Sequence, residues 1–322
     1  MQTYPVITNK VADQEYNIVR LDKDNLKDLA FLHSEVYGTK VNEDYFFRKY
    51  NTAYTGVEYI GFLAYTKNNF PVAFYGVIPC FLTYKNRTIL AAQSADTMTH
   101  PGYRFKGMFV DLSRRTFDLC KENRIQTVFG FPNQNSYHGA IHKLGWIETE
   151  IMQCFIISMN TIPLERICKK LGLEKAYACY NQKILDHRSL PVKGVKNSVF
   201  KNGFAGVSRS NAYFHHKNYN YRKVIEVKDA KLWISIREAL IIGDMENVHE
   251  GNFSEVIKSI KTLTRKLGLR QIQFHCCKGT ALHELFSRSF KAIPSFPVLF
   301  QDFGSGIPIE KIKFSFADID IF

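Results

Sequence analysis

The stretch HPGYRFKGMF, residues 100–109, has the composition of an anion-binding turn. It places Arg104, Lys106 and Gly107 between a strand-like run that ends at Thr99 and a helix-like run that follows. A helix N-terminus leaves backbone N–H groups unpaired and carries a partial positive charge, so it suits phosphate. Glycine lets the backbone approach an anion closely, and arginine grips phosphate oxygens in bidentate fashion. The stretch therefore predicts either a phosphate site or an ordinary exposed basic turn.

The elements around this turn alternate between helices and strands. Helical patterns cover residues 24–37, 42–50, 107–123 and 136–144. Strand patterns cover residues 58–67, 70–84, 88–99, 125–131 and 146–158. The run 125–131 is wholly apolar, which is typical of a strand that is covered on both faces. This order predicts a mixed sheet flanked by helices, in the α/β (α+β) class.

The second half of the chain partly repeats this order. A helix is predicted over residues 164–185, and the later elements are strands and helices at 223–227, 232–245, 253–267, 270–276, 280–290 and 297–303. Their order matches that of residues 88–158, which indicates an internal duplication. We therefore predict a first domain over residues 1–160, a basic helical bridge and linker over 161–204, and a second domain over 205–322.

Length and composition indicate the class of protein. With 322 residues the chain has room for two domains. No apolar run approaches the ~20 residues that a membrane span needs, and the N-terminus lacks a signal-peptide pattern. The seven cysteines have no C-x-x-C spacing, and the pair His215-His216 has no matching Cys, Asp or Glu pattern. We expect a cytoplasmic protein with no metal and no membrane partner.

The positive charge is concentrated in one segment. The net charge is +13, and residues 162–223 hold 13 Lys and Arg against 3 Asp and Glu. A phosphate-bearing partner would explain this excess, and so would a solvated basic surface. Composition alone leaves both interpretations open.

The run of residues 94–99 followed by HPGYRFKGMF resembles motif A of the GNAT acyltransferase superfamily, whose signature is Arg/Gln-x-x-Gly-x-Gly/Ala. The resemblance implies that the strand backbone of Thr97, Met98 and Thr99 hydrogen-bonds the pantetheine arm of acyl-CoA. It also implies that a turn holds the pyrophosphate, with the residues Arg104, Phe105, Lys106, Gly107, Met108 and Phe109. A second stretch, FGFPNQNSYHGAIHKLGW, resembles the strand and helix that follow in this family, with Asn135 beside CoA. Together the matches cover roughly residues 20–158.

Three positions depart from the family pattern. Phe109 stands where the signature usually ends in Gly or Ala, and Phe105 stands where Gly is frequent. Ile141 lies four residues before Gly145, where many members have the tyrosine that acts as general acid. The resemblance therefore assigns no general acid to this chain.

The chemistry of acyl transfer needs a base and benefits from an acid. An amine must be neutral to attack a thioester, and the leaving sulfur gains from a proton donor. Asp96, His100 and His138 are candidates for the base or for a water relay to it, and Tyr137 could replace the missing acid. The terminal carboxylate of Phe322 is a further candidate, by resemblance to some tandem GNAT proteins.

The leading hypothesis is a tandem GNAT-like N-acyltransferase that moves acetyl from acetyl-CoA to a small-molecule amine. The basic bridge favours an anionic acceptor, such as an amino sugar or a nucleotide-linked amino sugar. One alternative is a Fem-like peptidyltransferase that takes its acyl group from aminoacyl-tRNA, and another is a non-catalytic acyl-CoA-binding protein. The second half lacks the glycine signature and carries the acidic stretch ENVHEGN, so we expect one acyl-CoA site, in the first half.

Overall fold

The computed structural model describes residues 7–11 and 14–322, with side chains from Tyr16 onward. The chain divides into two compact units. The first unit contains the described part of Met1–Leu82 together with Thr88–Thr149 and Val298–Ile309. The second contains Thr83–Arg87, Glu150–Pro297 and Glu310–Phe322.

The elements up to residue 158 begin with two strands that sequence patterns did not predict. In chain order they are β1 (Ile7–Val11), β2 (Gln14–Arg20), α1 (Leu26–Tyr37), α2 (Glu43–Tyr50), β3 (Ile60–Tyr65), β4 (Pro71–Tyr84), β5 (Arg87–Thr99), α3 (Met108–Glu122), β6 (Thr127–Gly130), α4 (Gln134–Leu144) and β7 (Ile147–Ser158).

The sheet of the first unit runs in the order β1-β2-β3-β4-β5-β6. The pairs β1–β2, β2–β3 and β3–β4 are antiparallel, and β5–β6 is parallel. Residues 299–302 pair with β6 in antiparallel fashion. One core joins the sheet to α3 and α4, and another joins it to α1 and α2. The end of β5 therefore lies between two layers of helices that can hold it from either face.

The later elements begin with the bridge. They are α5 (Leu164–Lys170), α6 (Glu174–Asp186), β8 (Gly206–Val207), α7 (Asn211–His216), β9 (Lys223–Val227), β10 (Ala230–Ile236), β11 (Leu240–Glu246), α8 (Glu250–Lys266), β12 (Gln271–Cys276), α9 (Ala281–Ser287) and β13 (Ala292–Asp302). The sheet of the second unit has the order β7-β12-β11-β10-β9, in which β11 and β12 are parallel and the other pairs antiparallel. Helices α8 and α9 pack on it through a shared apolar core.

The predicted mixed sheet with flanking helices is confirmed, and two of the predicted elements are wrong. The strand predicted over 232–245 is a hairpin, because Arg237 and Ala239 close a tight turn through an N–H···O bond of 3.1 Å. The helix predicted over 164–185 is two helices, since Gly172 adopts a left-handed φ of 67° between them. The predicted domain boundaries and tandem duplication stay predictions.

Candidate functional site

Strand β5 leaves its parallel neighbour before it ends. The β5–β6 register pairs residues 91–93 with residues 127–129, and β5 then continues to Thr99. Within the described residues no β5–β6 pairing follows, so the two strands diverge over residues 94–99. The predicted pantetheine strand, residues 97–99, therefore lies where its backbone is not used for pairing with β6.

Asp96 marks the point of divergence. Its φ is 51°, in the left-handed region that a non-glycine residue rarely adopts. Its carboxylate lies 2.8 Å from the Lys49 ammonium and accepts a hydrogen bond of 2.9 Å from the Tyr50 hydroxyl. Both partners come from α2, and Lys49 is only 1% exposed. The carboxylate is thus held in a structural contact on the α1–α2 face of the sheet.

Thr97, Met98 and Thr99 offer mainly backbone groups. Met98 is buried in the α1–α2 core. The carbonyl of Thr97 accepts a bond of 3.5 Å from the Tyr37 hydroxyl, and the carbonyl of Thr99 accepts one of 3.3 Å from Arg104 Nε. Arg104 therefore connects the strand to the predicted phosphate turn.

His100 is fixed at the start of the turn. Its Nδ1 accepts a hydrogen bond of 3.2 Å from the N–H of Gly102, and its ring packs edge-on against Phe70 and Tyr103. Its Nε2 lies 3.8 Å from a carboxylate oxygen of Glu35. The Nδ1 contact leaves Nε2 as the nitrogen that faces a charged group.

The turn ends in a helix N-terminus without a side-chain cap. Gly107 is the N-cap of the 15-residue helix α3, with φ 80° and no side-chain hydrogen bond. The first N–H groups of a helix have no intrahelical acceptor, and this end carries the positive pole of the helix dipole. Arg104 is exposed, and Lys106 Nζ lies 5.0 Å from the centre of the Tyr103 ring. This arrangement has the charge and the geometry of an anion site.

The two phenylalanines of the turn have opposite environments. Phe105 has φ 64° and its side chain is fully exposed. Phe109 points inward, where its ring packs against Tyr75 and against Gly139 of α4. A Cβ at Gly139 would come within 2.7 Å of that ring. Phe109 thus fills the space that a glycine on the neighbouring helix leaves, and its side chain does not enter the turn.

Helix α4 presents the remaining predicted residues on its exposed side. Asn133 caps the helix by accepting hydrogen bonds from the N–H groups of Asn135 and Ser136, at 2.9 and 3.2 Å. Asn135 itself is exposed in the first turn. His138 is exposed and lies 4.5 Å from His142, centre to centre, one helical turn away. This helix does not bring His138 into any contact with His100 or Asp96 among the described residues.

Tyr137 and Ile141 differ in what they can do. The Tyr137 hydroxyl donates a bond of 2.7 Å to Glu148 of β7, and this carboxylate raises the pKa of Tyr137. Ile141 packs against the core on the α3–α4 face. The position of the usual acid is therefore apolar, and the nearby tyrosine has its proton directed at a carboxylate.

Sequence patterns missed Lys49, Tyr50, Asn133 and Glu148. A signal existed for Asn133, because asparagine is a preferred N-cap. None existed for the partners of Asp96, which lie 46 and 47 residues earlier in the chain.

The second unit has a corresponding pair of strands whose ends are occupied. The β11–β12 register stops after Ile242 and Phe274, although both strands continue. Beyond this point the segment 312–322 contacts both strands. Ser315 forms an antiparallel bridge with Cys276, and the ring of Phe322 lies against Gly243, where a Cβ would approach it within 2.3 Å.

Buried charges fasten this segment. Arg209 donates hydrogen bonds of 2.6 Å to Asp244 and 2.8 Å to Asp318, and the side chains of all three are at most 1% exposed. The two carboxylates raise the pKa of Arg209 against the desolvation that would lower it. The ring of Phe316 stacks on His275 at 4.6 Å. Phe322, a candidate for catalysis by sequence, is buried in this segment with its ring 5.5 Å from Trp233.

Two further findings concern other kinds of site. The part of the chain that the structure describes contains no group of three His, Cys, Asp or Glu side chains placed to hold a metal, and His215 contacts Lys193 at 2.9 Å. Among the described helices, none is long and apolar enough to cross a bilayer.

Comparison with known proteins links this geometry to a family. Residues 17–148 match the family model described as an acetyltransferase (GNAT) domain. No curated protein sequence matches the chain.

Three solved structures share the fold at low sequence identity. A GCN5-related N-acetyltransferase from Kribbella flavida is 10% identical with a TM-score of 0.54, over 91% of this chain and 72% of that one. An Enterococcus faecalis V583 protein of unknown function, proposed to be an N-acyltransferase, is 9% identical with a TM-score of 0.58, over 90% and 73%. A proposed acetyltransferase from Pyrococcus horikoshii is 11% identical with a TM-score of 0.54, over 96% and 95%. Residues 17–148 therefore form an acetyltransferase domain of the GNAT superfamily, in a chain whose fold is shared with GNAT proteins.

Proposed function

We propose that the protein is an N-acyltransferase that moves the acetyl group of acetyl-CoA to an amine. The observation that carries the proposal is the uncapped N-terminus of α3, preceded by Arg104, Lys106 and Gly107 at the diverging end of β5. These groups suit a pyrophosphate, and the backbone of residues 97–99 suits an amide-bearing arm.

The residues near the turn differ in their fitness for proton transfer. In the reaction the amine nitrogen bonds to the thioester carbon, the C–S bond breaks, the amine loses a proton and the thiolate gains one. His100 is our candidate for the base, since its ring is fixed and its Nε2 faces Glu35, which would stabilise the protonated imidazole. Both oxygens of Asp96 are occupied by Lys49 and Tyr50.

The acid and the acceptor are proposals of lower resolution. Tyr137 can serve as acid only if its proton leaves Glu148, and His138 can serve only through water because it lies on the exposed side of α4. An anionic acceptor such as an amino sugar stays a prediction that rests on the basic charge of residues 162–223. A cytoplasmic location likewise stays a prediction.

Calorimetric titration with acetyl-CoA tests the donor site. We expect the wild type to bind and Gly107→Glu to lose binding, because a carboxylate would then stand at the anion site. Gly56→Glu is the matched control, since Gly56 has φ 81° against 80° for Gly107 and suffers the same backbone strain elsewhere in the unit. Equal affinities in the two variants, or no binding by the wild type, would overturn the proposal.

Thiol release from acetyl-CoA in the presence of a panel of amines and amino sugars tests turnover. Binding without turnover on any amine would favour the non-catalytic alternative, which the apolar Ile141 supports. The Fem-like alternative predicts salt-dependent binding of tRNA in place of acetyl-CoA. The phosphate turn argues against that alternative because a tRNA-dependent enzyme has no use for a CoA pyrophosphate site.

A further inference from the structure

A buried ion pair connects α2 to the point where β5 turns away from β6. The Lys49 ammonium lies 2.8 Å from each carboxylate oxygen of Asp96, and the Tyr50 hydroxyl donates 2.9 Å to one of them. Lys49 is 1% exposed and Tyr50 is fully buried. A buried ammonium requires a counter-charge, because taking it out of water is costly. Asp96 is therefore held firmly in place by α2.

The backbone at Asp96 changes direction under this constraint. A φ of 51° inside a strand is unfavourable for a residue with a Cβ and persists where the surroundings impose it. The side chains of Ala95 and Met98 lie in the α1–α2 core, and Asp96 reaches α2 on the same face. Two consecutive residues, 95 and 96, thus point to one face of the sheet, as in a β-bulge, and the strand beyond them is re-aimed.

We propose that Asp96, Lys49 and Tyr50 act as positioning residues for acyl transfer. The trio sets the direction of the backbone of residues 97–99 at the divergence of β5 and β6. Asp96 acts through that backbone, so it is neither the base nor a group that touches the acyl donor. The catalytic part of this inference rests on the proposed function, whereas the mechanical part concerns the strand alone.

A matched pair of variants separates the trio from ordinary core packing. Tyr50→Phe removes the hydroxyl that bonds Asp96. Tyr65→Phe removes a comparable hydroxyl, which donates 3.0 Å to Asp28 in the same core. Each change deletes one hydrogen bond to a carboxylate, so we expect similar losses of thermal stability from both.

Hydrogen–deuterium exchange reads the mechanical part without any ligand. In Tyr50→Phe we expect the amides of residues 97–99 to exchange on the order of tenfold faster than in the wild type, because a charge-assisted hydrogen bond is lost there. In Tyr65→Phe we expect no change at these amides. Equal exchange of this segment in both variants would overturn the proposal, whatever the fate of the proposed function.

Kinetics read the catalytic part. With the amine found by thiol release, Tyr50→Phe should lower kcat on the order of 100-fold, the scale of a 1 Å misplacement, while acetyl-CoA affinity falls much less because the phosphate turn is intact. Tyr65→Phe should keep the wild-type kcat. Normal kcat in Tyr50→Phe together with faster exchange would show that the trio shapes the strand without serving catalysis, and would overturn this part.

The pH profile distinguishes positioning from base catalysis. The double variant Lys49→Met/Asp96→Asn removes both charges at similar volume, an exchange that buried pairs often tolerate. A positioning role predicts a reduced kcat with the acid limb of the kcat/KM profile at its wild-type pH. A shift or loss of that limb would identify Asp96 as the base and overturn the proposal.

Discussion

Each unit contains one pair of parallel strands that separate beyond their third residue pair, and the two units use this divergence differently. In the first unit β5 leads into a basic turn and an uncapped helix. In the second unit β11 leads into the acidic stretch ENVHEGN, and the segment 312–322 contacts both strand ends. The acidic side chain that Arg209 binds there belongs to the chain itself, at Asp318.

This difference shows what a strand divergence requires. Backbone and charged groups at separated strand ends need partners, since unpaired buried polar groups are costly. The second unit supplies those partners from its own sequence, so its divergence is a permanent part of the fold. The first unit supplies cationic and N–H groups at its surface, which is the arrangement that a phosphate-bearing ligand can complete.

The largest expected effect tests whether the filling of the second unit is structural. Arg209→Met leaves Asp244 and Asp318 buried without their cation, and should lower the free energy of unfolding by about 3–5 kcal/mol. Urea denaturation measures it. The control Arg48→Ala breaks an exposed ion pair with Asp44 and should change stability by about 0–1 kcal/mol. A loss of similar size in both variants would remove the contrast between the units.

Acid should weaken the second unit through His275. Burial lowers the pKa of His275 to about 4 from 6.5, so the unfolded chain binds the proton more readily than the folded one. Its contribution is complete above pH 6.5 and is lost as pH falls toward 4, by about 3 kcal/mol at most. Stability of the wild type and His275→Gln at pH 7 and pH 4 measures it. If both lose the same amount, His275 does not control the effect.

A glycine in each unit leaves room for a phenylalanine ring, and this can be tested in the second. Gly243→Ala places a Cβ 2.3 Å from the Phe322 ring and should cost about 1–3 kcal/mol by overpacking. Gly251→Ala in helix α8 is the control and should stabilise by about 0.5–1 kcal/mol. Thermal denaturation compares them. No loss in Gly243→Ala would mean that segment 312–322 can yield, and the contrast with the first unit would weaken.

The smallest effect concerns the turn itself. Gly107→Ala imposes a Cβ on a left-handed backbone and should cost about 1 kcal/mol of stability, as should Gly56→Ala at nearly the same φ. Acetyl-CoA affinity should fall in Gly107→Ala alone, because only this backbone is proposed to face the phosphates. Calorimetry of the two variants measures it, and equal affinities would separate the turn from ligand binding.

Local sequence patterns predicted much of the first unit and less of the second. The basic turn, the strand before it and the helix after it follow from residues that are neighbours in the chain, so their spacing shows their structure. The hairpin over residues 230–246 was predicted as one strand because both of its arms are apolar, and its turn residues 237–239 carry no glycine or proline. The break between α5 and α6 was marked by Gly172, which a helical pattern can absorb at modest cost.

The sequence by itself determined that the chain has a phosphate-suited turn of GNAT type, because that turn depends on adjacent residue types and on helix ends. Only the tertiary structure decided that Phe109 packs on Gly139, that Tyr137 bonds Glu148 and that Asp96 is held by α2. These contacts join residues 11 to 47 positions apart. Such distances are beyond any periodic pattern, since packing brings the partners together only after the sheet and its two helix layers have formed.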